Sequence, residues 1–379
     1  MAALSSVACP LVCVATLSLG LALASPRATA QADPFWFEPA AGGARWRVVL
    51  GGEGVSDGVA HAPNAPAGGF EPATRLPRSA SAALALHWRP SSEWSLRASV
   101  VRRSLVSLRD RYTIDGVELG VARRLPSPHA STRLALVADL RANRAGELYK
   151  NSWTRLGGAR LTEARLFDAR DEGAGLAFAS RTSFGQGVGD GREIALSALI
   201  GIGLTRTGHE RLAGVGVDGG GCRYGFEAAD GTGELTLLEP CRQFEAFHEE
   251  YANERGIERR LGLAPGSDLA YTSRVARVGL GIVAVWGRTG AALSWVHGRH
   301  ARADLDPRIR ERGARAVASS HTTSLRVSVA ASRVLRLHAG AHYRSTTYLD
   351  ELPLLYNALT AGRFARDTLS FGAGLSLAF

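Results

Sequence analysis

The last thirteen residues, Asp367 to Phe379, read D-T-L-S-F-G-A-G-L-S-L-A-F and constrain the fold more than any other stretch. Leu369, Phe371, Ala373, Leu375, Leu377 and Phe379 share one face of an extended segment, while Ser370, Gly372, Gly374, Ser376 and Ala378 share the other. A half-buried strand of a soluble sheet carries charge on its wet face, but here the second face is only small and weakly polar. That combination suits lipid on one side and a crowded or watery lumen on the other.

On these residues the chain resembles the Gram-negative outer-membrane β-barrel proteins, whose final strand alternates in this way and ends in Phe. The resemblance reaches architecture and no specific family. It implies an all-β, antiparallel transmembrane barrel in the cell outer membrane, surrounded by lipid and lipopolysaccharide. It also implies that Phe371, Leu375, Leu377 and Phe379 form the signal read by the barrel-assembly machinery during insertion.

Alternation of the same kind recurs upstream. Trp46, Val48 and Leu50 open a first strand, followed by Leu84, Leu86 and Trp88, then Trp94, Leu96, Ala98 and Val100. Val117, Leu119 and Val121 mark a fourth, Leu134, Leu136, Ala138 and Leu140 a fifth, and Leu176, Phe178 and Phe184 a sixth. Ile194 to Leu204 carries a seventh, Val278 to Trp286 an eighth, and Ala291, Leu293 and Trp295 a ninth. Leu325, Val327 and Val329, then Leu335 to Tyr343, complete the set with the terminal strand, which predicts twelve. Short links near 90–92, 125–130, 185–191, 287–290 and 332–333 alternate with longer ones near 52–78, 104–111, 143–173, 206–272, 300–321 and 347–366. Short periplasmic turns and long outer loops are the rule for such barrels, and an even count returns both termini to the periplasm. If Ala159 to Phe167 is an extra strand with a partner, the count becomes fourteen. Trp46, Trp88, Trp94, Trp286, Trp295 and Tyr343 fall where interfacial aromatic girdles sit.

A membrane helix needs ~20 uninterrupted apolar residues, and no segment after the N-terminus supplies them. The richest, Arg274 to Val296, is broken by Arg277 and Arg288 and reads as two strands and a turn. Residues 1–30 read as a secretory signal peptide, with an apolar core from Leu11 to Ala24 and small residues at Ala28-Thr29-Ala30. Residues 31–44 form a short periplasmic segment, and 45–379 the barrel. Cys9 and Cys13 leave with the leader, so Cys222 and Cys241 are expected to form one disulfide, worth ~3 kcal/mol for a loop of that size.

The formal net charge of +10 rests on arginine, since Lys150 is the only lysine. Arginines dispersed through strands and loops do not make the clustered face of a nucleic-acid binder. Strand parity places Arg97, Arg103, Arg124, Arg133, Arg141, Arg181, Arg277, Arg326, Arg336 and Arg344 in the lumen, against Glu118, Asp139 and Glu193. An open lumen so lined favours anions. A sealed one would use the same arginines to bond loop acids, and both readings stay open. His87, His338 and His342 also face inward, but no partner set makes them a metal site, and no cofactor is expected.

The segment 206–272 is too long for a plain connector, and Pro240 to Gly262 reads as helical, with Phe244, Phe247 and Tyr251 on neighbouring turns. Ser319, Ser320 and His321 lie near an outer strand end, where a lipid hydrolase would assemble its site, but no enzyme-family motif accompanies them. The leading expectation is a non-enzymatic channel or passive transporter for small, preferably anionic solutes. A sealed barrel whose outer loops bind a partner or surface polymer is the alternative, and a rim-sited lipid hydrolase the second.

Overall fold

The computed structural model describes residues 45–55, 78–107, 110–151, 153–156, 158–184, 192–229, 232–239, 241, 249–346, 349–364 and 367–379. The expected leader 1–30 and the expected periplasmic segment 31–44 lie outside the described residues. In chain order the strands are β1 (Trp46–Val55), β2 (Arg78–Trp88), β3 (Trp94–Ser107), β4 (Asp110–Leu125), β5 (Thr132–Lys150), β6 (Thr154–Leu156), β7 (Ala159–Phe184) and β8 (Arg192–Gly208). There follow β9 (Arg211–Val217), β10 (Arg223–Ala229), β11 (Thr232–Glu239), β12 (Glu249–Asn253), β13 (Tyr271–Trp286) and β14 (Thr289–Ala301). The last are β15 (Ser319–Ala330), β16 (Leu335–Ser345) and β17 (Asp367–Ala378).

Twelve of these, all but β6 and β9 to β12, close into one antiparallel transmembrane ring. The seam runs from Arg47 opposite Ala378 to Val55 opposite Ser370, and Trp46 and Phe379 exchange two backbone hydrogen bonds of 3.0 Å at its end. Closure removes every unpaired strand edge, which a bilayer demands. Period-two alternation then sends one residue of each pair to lipid. Ile200, Ile202 and Leu280 are 61%, 67% and 61% exposed, which water would penalise and hydrocarbon does not. Trp46 stacks on Trp88 at 5.1 Å at the periplasmic rim, where Trp94 and Trp286 are also exposed, while Trp295 and Tyr343 mark the outer rim. From Trp286 to Ala276 a strand tilted by ~40° climbs about 25 Å, the height of an apolar band.

The expected count of twelve holds and fourteen does not. Ala159 to Phe167 is the outer half of β7, a single strand of 26 residues. The expected outer loop 143–173 is accordingly mostly strand, and so are the described residues of the link near 104–111, where Ser107 pairs with Asp110. Short and long connections therefore alternate less cleanly than the sequence suggests, because several outer loops are continued as sheet.

The segment 206–272 builds an outer subdomain. β9 pairs with the outer half of β7, and β10, β11 and β12 extend that ladder. Cys222 and Cys241 join across the β10–β11 hairpin with Cα atoms 5.2 Å apart, as expected. Among the described residues of the helix expected over Pro240 to Gly262, only Glu254–Leu261 is helical. Tyr251 lies on β12, helix α1 covers Glu254–Leu261, and Phe244 and Phe247 lie outside the described residues. Gly262 ends α1 at φ +67°, with its N–H donating to Glu258 O at 2.7 Å. Helix α2 (Pro265–Asp268) follows, and α3 (Leu305–Glu311) occupies the link between β14 and β15. Leu212, Tyr224, Leu235, Leu237, Ile257 and Leu263 are fully buried here, a core of the soluble kind mounted on a membrane barrel.

Candidate functional site

The lumen has two unlike halves, divided by the chain between β16 and β17. Leu349 to Phe364 joins the core of the outer subdomain, with Leu352 and Tyr356 fully enclosed and Leu349 and Leu359 nearly so. Its apolar content, L-D-E-L-P-L-L-Y-N-A-L-T-A-G-R-F, has no solvent-facing use, so the segment turns inward. A 3-10 turn at Pro353–Leu355 packs on β7 and β8, which lie across the ring from β16 and β17.

Polar bonds then fix this plug to the surrounding wall. Tyr271 OH donates to Pro353 O at 2.8 Å, Asn143 Nδ2 to Glu351 O at 3.2 Å and Thr154 Oγ1 to Leu359 O at 3.3 Å. Val317 N–H donates to Tyr356 OH at 2.8 Å, and the Arg302 guanidinium lies 4.4 Å over the Tyr356 ring. Ala358 N–H donates to the backbone of Asp268 at 2.9 Å. The Asp268 carboxylate is fully buried, accepts from Arg308 at 3.0 Å and also pairs with Arg312. Plug, α3 and the outer subdomain are thus one packed unit.

The ten inward arginines divide between these halves. Arg344 bridges Glu53 and Glu351 at 2.8 Å each, and Arg141 donates to the backbone of Asp350 and lies 3.9 Å from Asp171. Arg103 reaches Asn143 at 2.8 Å, and Asn143 in turn bonds Asp171 at 3.0 Å. Gly116 leaves room for that link, because a Cβ there would meet Asn143 Oδ1 at 2.5 Å. Arg277 is buried near Asp350 and Asp139. These four arginines anchor the outer, closed half.

Nearer the periplasm, Arg97 lies 3.8 Å from Glu118, which Arg103 approaches from the outer half at 3.9 Å, and Arg181 bonds Glu193 at 2.8 Å. Arg336 donates to Ser328 at 3.1 Å, and Arg326 is half-buried beside it in parity. Arg124 and Arg133 join Arg89 around a cavity of about 80 Å³ at the periplasmic mouth, with Glu93 the one acid in its lining. Burial, then the charges of Arg47, Arg133 and Arg124, push the Arg89 guanidinium below its usual range. Three guanidinium groups against one carboxylate leave the lining net positive, which favours anions.

The count of lumenal acids needs correction. Glu53 and Asp171 on the strands and Asp350 and Glu351 in the plug join Glu118, Asp139 and Glu193, so the outer half is balanced and the basic excess belongs to the periplasmic half. Strand parity was enough to reach Glu53. The plug acids carried a different signal, an unusually apolar stretch in a position expected to be an exposed loop. His338 and His342 are held at 2.8 Å by Ser376 and Ser324 rather than converging.

The expected Ser-His adjacency separates. Ser320 points inward and His321 outward, as neighbours on a strand must. Ser320 meets His300 Nε2 at 3.1 Å, and Asp350 approaches the same nitrogen at 2.9 Å. A relay needs the acid on the opposite ring nitrogen, so this trio is a plug anchor in its geometry. Burial raises the Asp350 carboxyl, but the His300 charge and hydrogen bond, Arg277 and Ser320 outweigh it and hold it well below the usual carboxylate range. Phe371, Leu377 and Phe379 of the expected insertion signal face lipid, and Leu375 is half-buried on the same face.

No protein-family model matches the chain, and no curated protein sequence does. Among solved structures, the translocator domain of the autotransporter NalP from Neisseria meningitidis is similar at 9% identity and TM-score 0.47, over 88% of this chain and 89% of that one. The toluene transporter TodX from Pseudomonas putida is similar at 10% identity and TM-score 0.40, over 95% of each chain. The β domain of the Bordetella autotransporter BrkA is similar at 12% identity and TM-score 0.39, over 89% and 99%.

Proposed function

We propose that this barrel is an outer-membrane channel or passive transporter for small, preferably anionic solutes, closed at its extracellular mouth by the Leu349–Phe364 plug. The observation that carries the reading is the basic periplasmic vestibule around Arg89, Arg124 and Arg133, which concentrates anions beneath a closure held by non-covalent contacts. Solute passes when the plug yields. Export by the cleaved leader 1–30, insertion through the terminal strand by the assembly machinery, and a lipopolysaccharide surround belong to the same reading.

Single-channel recording in planar bilayers tests it. The parent is expected to conduct rarely, and a variant with residues 349–364 replaced by a Gly-Ser linker to conduct steadily with anion preference. Arg124→Glu together with Arg133→Glu in that variant is expected to move the reversal potential toward cations. A plugless, folded barrel without conductance would sink the channel reading.

One observation favours a second reading. The plug is as well packed as a soluble core, which suits a permanently sealed barrel whose disulfide-tied outer subdomain binds a partner or surface polymer. In that case the parent shows no conductance at all, even where the plugless variant conducts, and pull-down by the outer face becomes the informative experiment.

A further inference from the structure

Outside the lumen, β14 and β15 present a pair of histidines whose spacing the barrel does not require. His297 shares the outward face of Leu293 and Trp295, and His321 that of Leu325 and Val327. They sit directly opposite each other in the β14–β15 register. His300 N–H donates to Ala318 O at 2.8 Å, so hydrogen-bonded pairs fall at even-numbered positions of β14 and His297 belongs to a non-hydrogen-bonded pair. Side chains approach most closely in such pairs. The two Nδ1 atoms lie 3.3 Å apart, with ring centroids at 4.6 Å, and the Trp295 ring is 6.2 Å from each.

That separation is long for the usual N–H hydrogen bond of roughly 2.9–3.0 Å. It matches the bite of one metal ion: two imidazole nitrogens at about 2.05 Å and a tetrahedral angle stand ~3.3 Å apart. Imidazole suits first-row divalent ions such as zinc, copper and nickel. We propose that His297 and His321 chelate one such ion on the outer face of the barrel. No group of three or more His, Cys, Asp or Glu side chains placed to hold a metal occurs among the described residues, so the site supplies two protein ligands. Its remaining positions open at the outer rim, beside exposed Arg299, where water or lipid phosphate oxygens complete the shell.

Trp295 is a built-in reporter, because a bound paramagnetic ion at this distance quenches its fluorescence. Titration of the folded, detergent-solubilised full chain with Cu²⁺ is expected to give saturable quenching, and calorimetry with Zn²⁺ a stoichiometry of one. Electron paramagnetic resonance of the copper form is expected to show two coordinated nitrogens. His297→Gln and His321→Gln are each expected to weaken binding at least tenfold and the pair to abolish it, while His129→Gln in a periplasmic turn leaves it unchanged. Trp295→Phe is expected to lose the optical signal and keep the calorimetric one. Heat-modifiable migration confirms that each variant is folded. A folded double variant that binds Cu²⁺ like the parent, or a parent that binds no ion above a blank titration, overturns the assignment.

Discussion

At the scale of single residues, the lumen is governed by charges that cannot be left alone. Arg344, Glu53 and Glu351 are each almost wholly enclosed, so Arg344→Met removes a guanidinium and strands two buried carboxylates. Breaking a buried pair in this way costs roughly 3–5 kcal/mol. Urea unfolding in liposomes is expected to show that loss, and proteolysis to show Leu349–Phe364 cut faster. Asp350 adds a pH dependence of defined sign. Its folded pKa lies below the ordinary 3.8, so its contribution is fully present above that value and is lost as pH falls through the lower folded one. Hydrogen-exchange protection of the plug is therefore expected to hold from pH 7 down through pH 4 and to fade only in stronger acid. Asp350→Asn should show weaker protection throughout that range.

At the scale of elements, β7 is the decisive strand. Its inner half crosses the bilayer, and its outer half continues into water as the first strand on which β9 to β12 are built. One strand thus changes environment without changing period, since alternation serves a lipid-facing wall and a soluble core equally. The disulfide belongs to the watery part alone. Cys222→Ser with Cys241→Ser is expected to remove about 3 kcal/mol from the outer subdomain, read as faster protease cleavage within 206–272. The thermal transition of the barrel, whose hydrogen bonds close around the ring, is expected to stay where it is.

At the scale of the whole molecule, closure depends on residues at the two ends of the described chain. Phe379 contributes a lipid-facing side chain, 64% exposed, and two seam hydrogen bonds with Trp46. The two contributions separate by mutation. Phe379→Ser keeps the backbone pair and is expected to lower the yield of assembled barrel by weakening recognition during insertion, with export intact. Deleting Phe379 also opens the seam, so the barrel that does assemble is expected to lose its heat-modifiable band at a lower temperature. Equal yields of parent and Phe379→Ser in outer-membrane fractions would leave the side chain no role in insertion.

The barrel itself was legible in the sequence because lipid imposes a rule on every spanning strand: one face must be apolar at period two. Val278 to Trp286 or Leu369 to Phe379 states that rule locally, without reference to any partner. The disulfide followed similarly from two cysteines outside the expected leader and the expectation of export. What parity alone left undecided was the division of ten inward arginines between vestibule and anchor. Parity says that Arg344 and Arg124 both point inward. It does not say that Arg344 meets Glu53, 291 positions away in the chain, whereas Arg124 lines one cavity with Arg89 and Arg133. The plug was hidden for the same reason. The apolar run Leu349–Phe364 needs a place to bury itself, and only the closed ring and its outer subdomain, assembled from strands distant in sequence, determine that this place is the lumen.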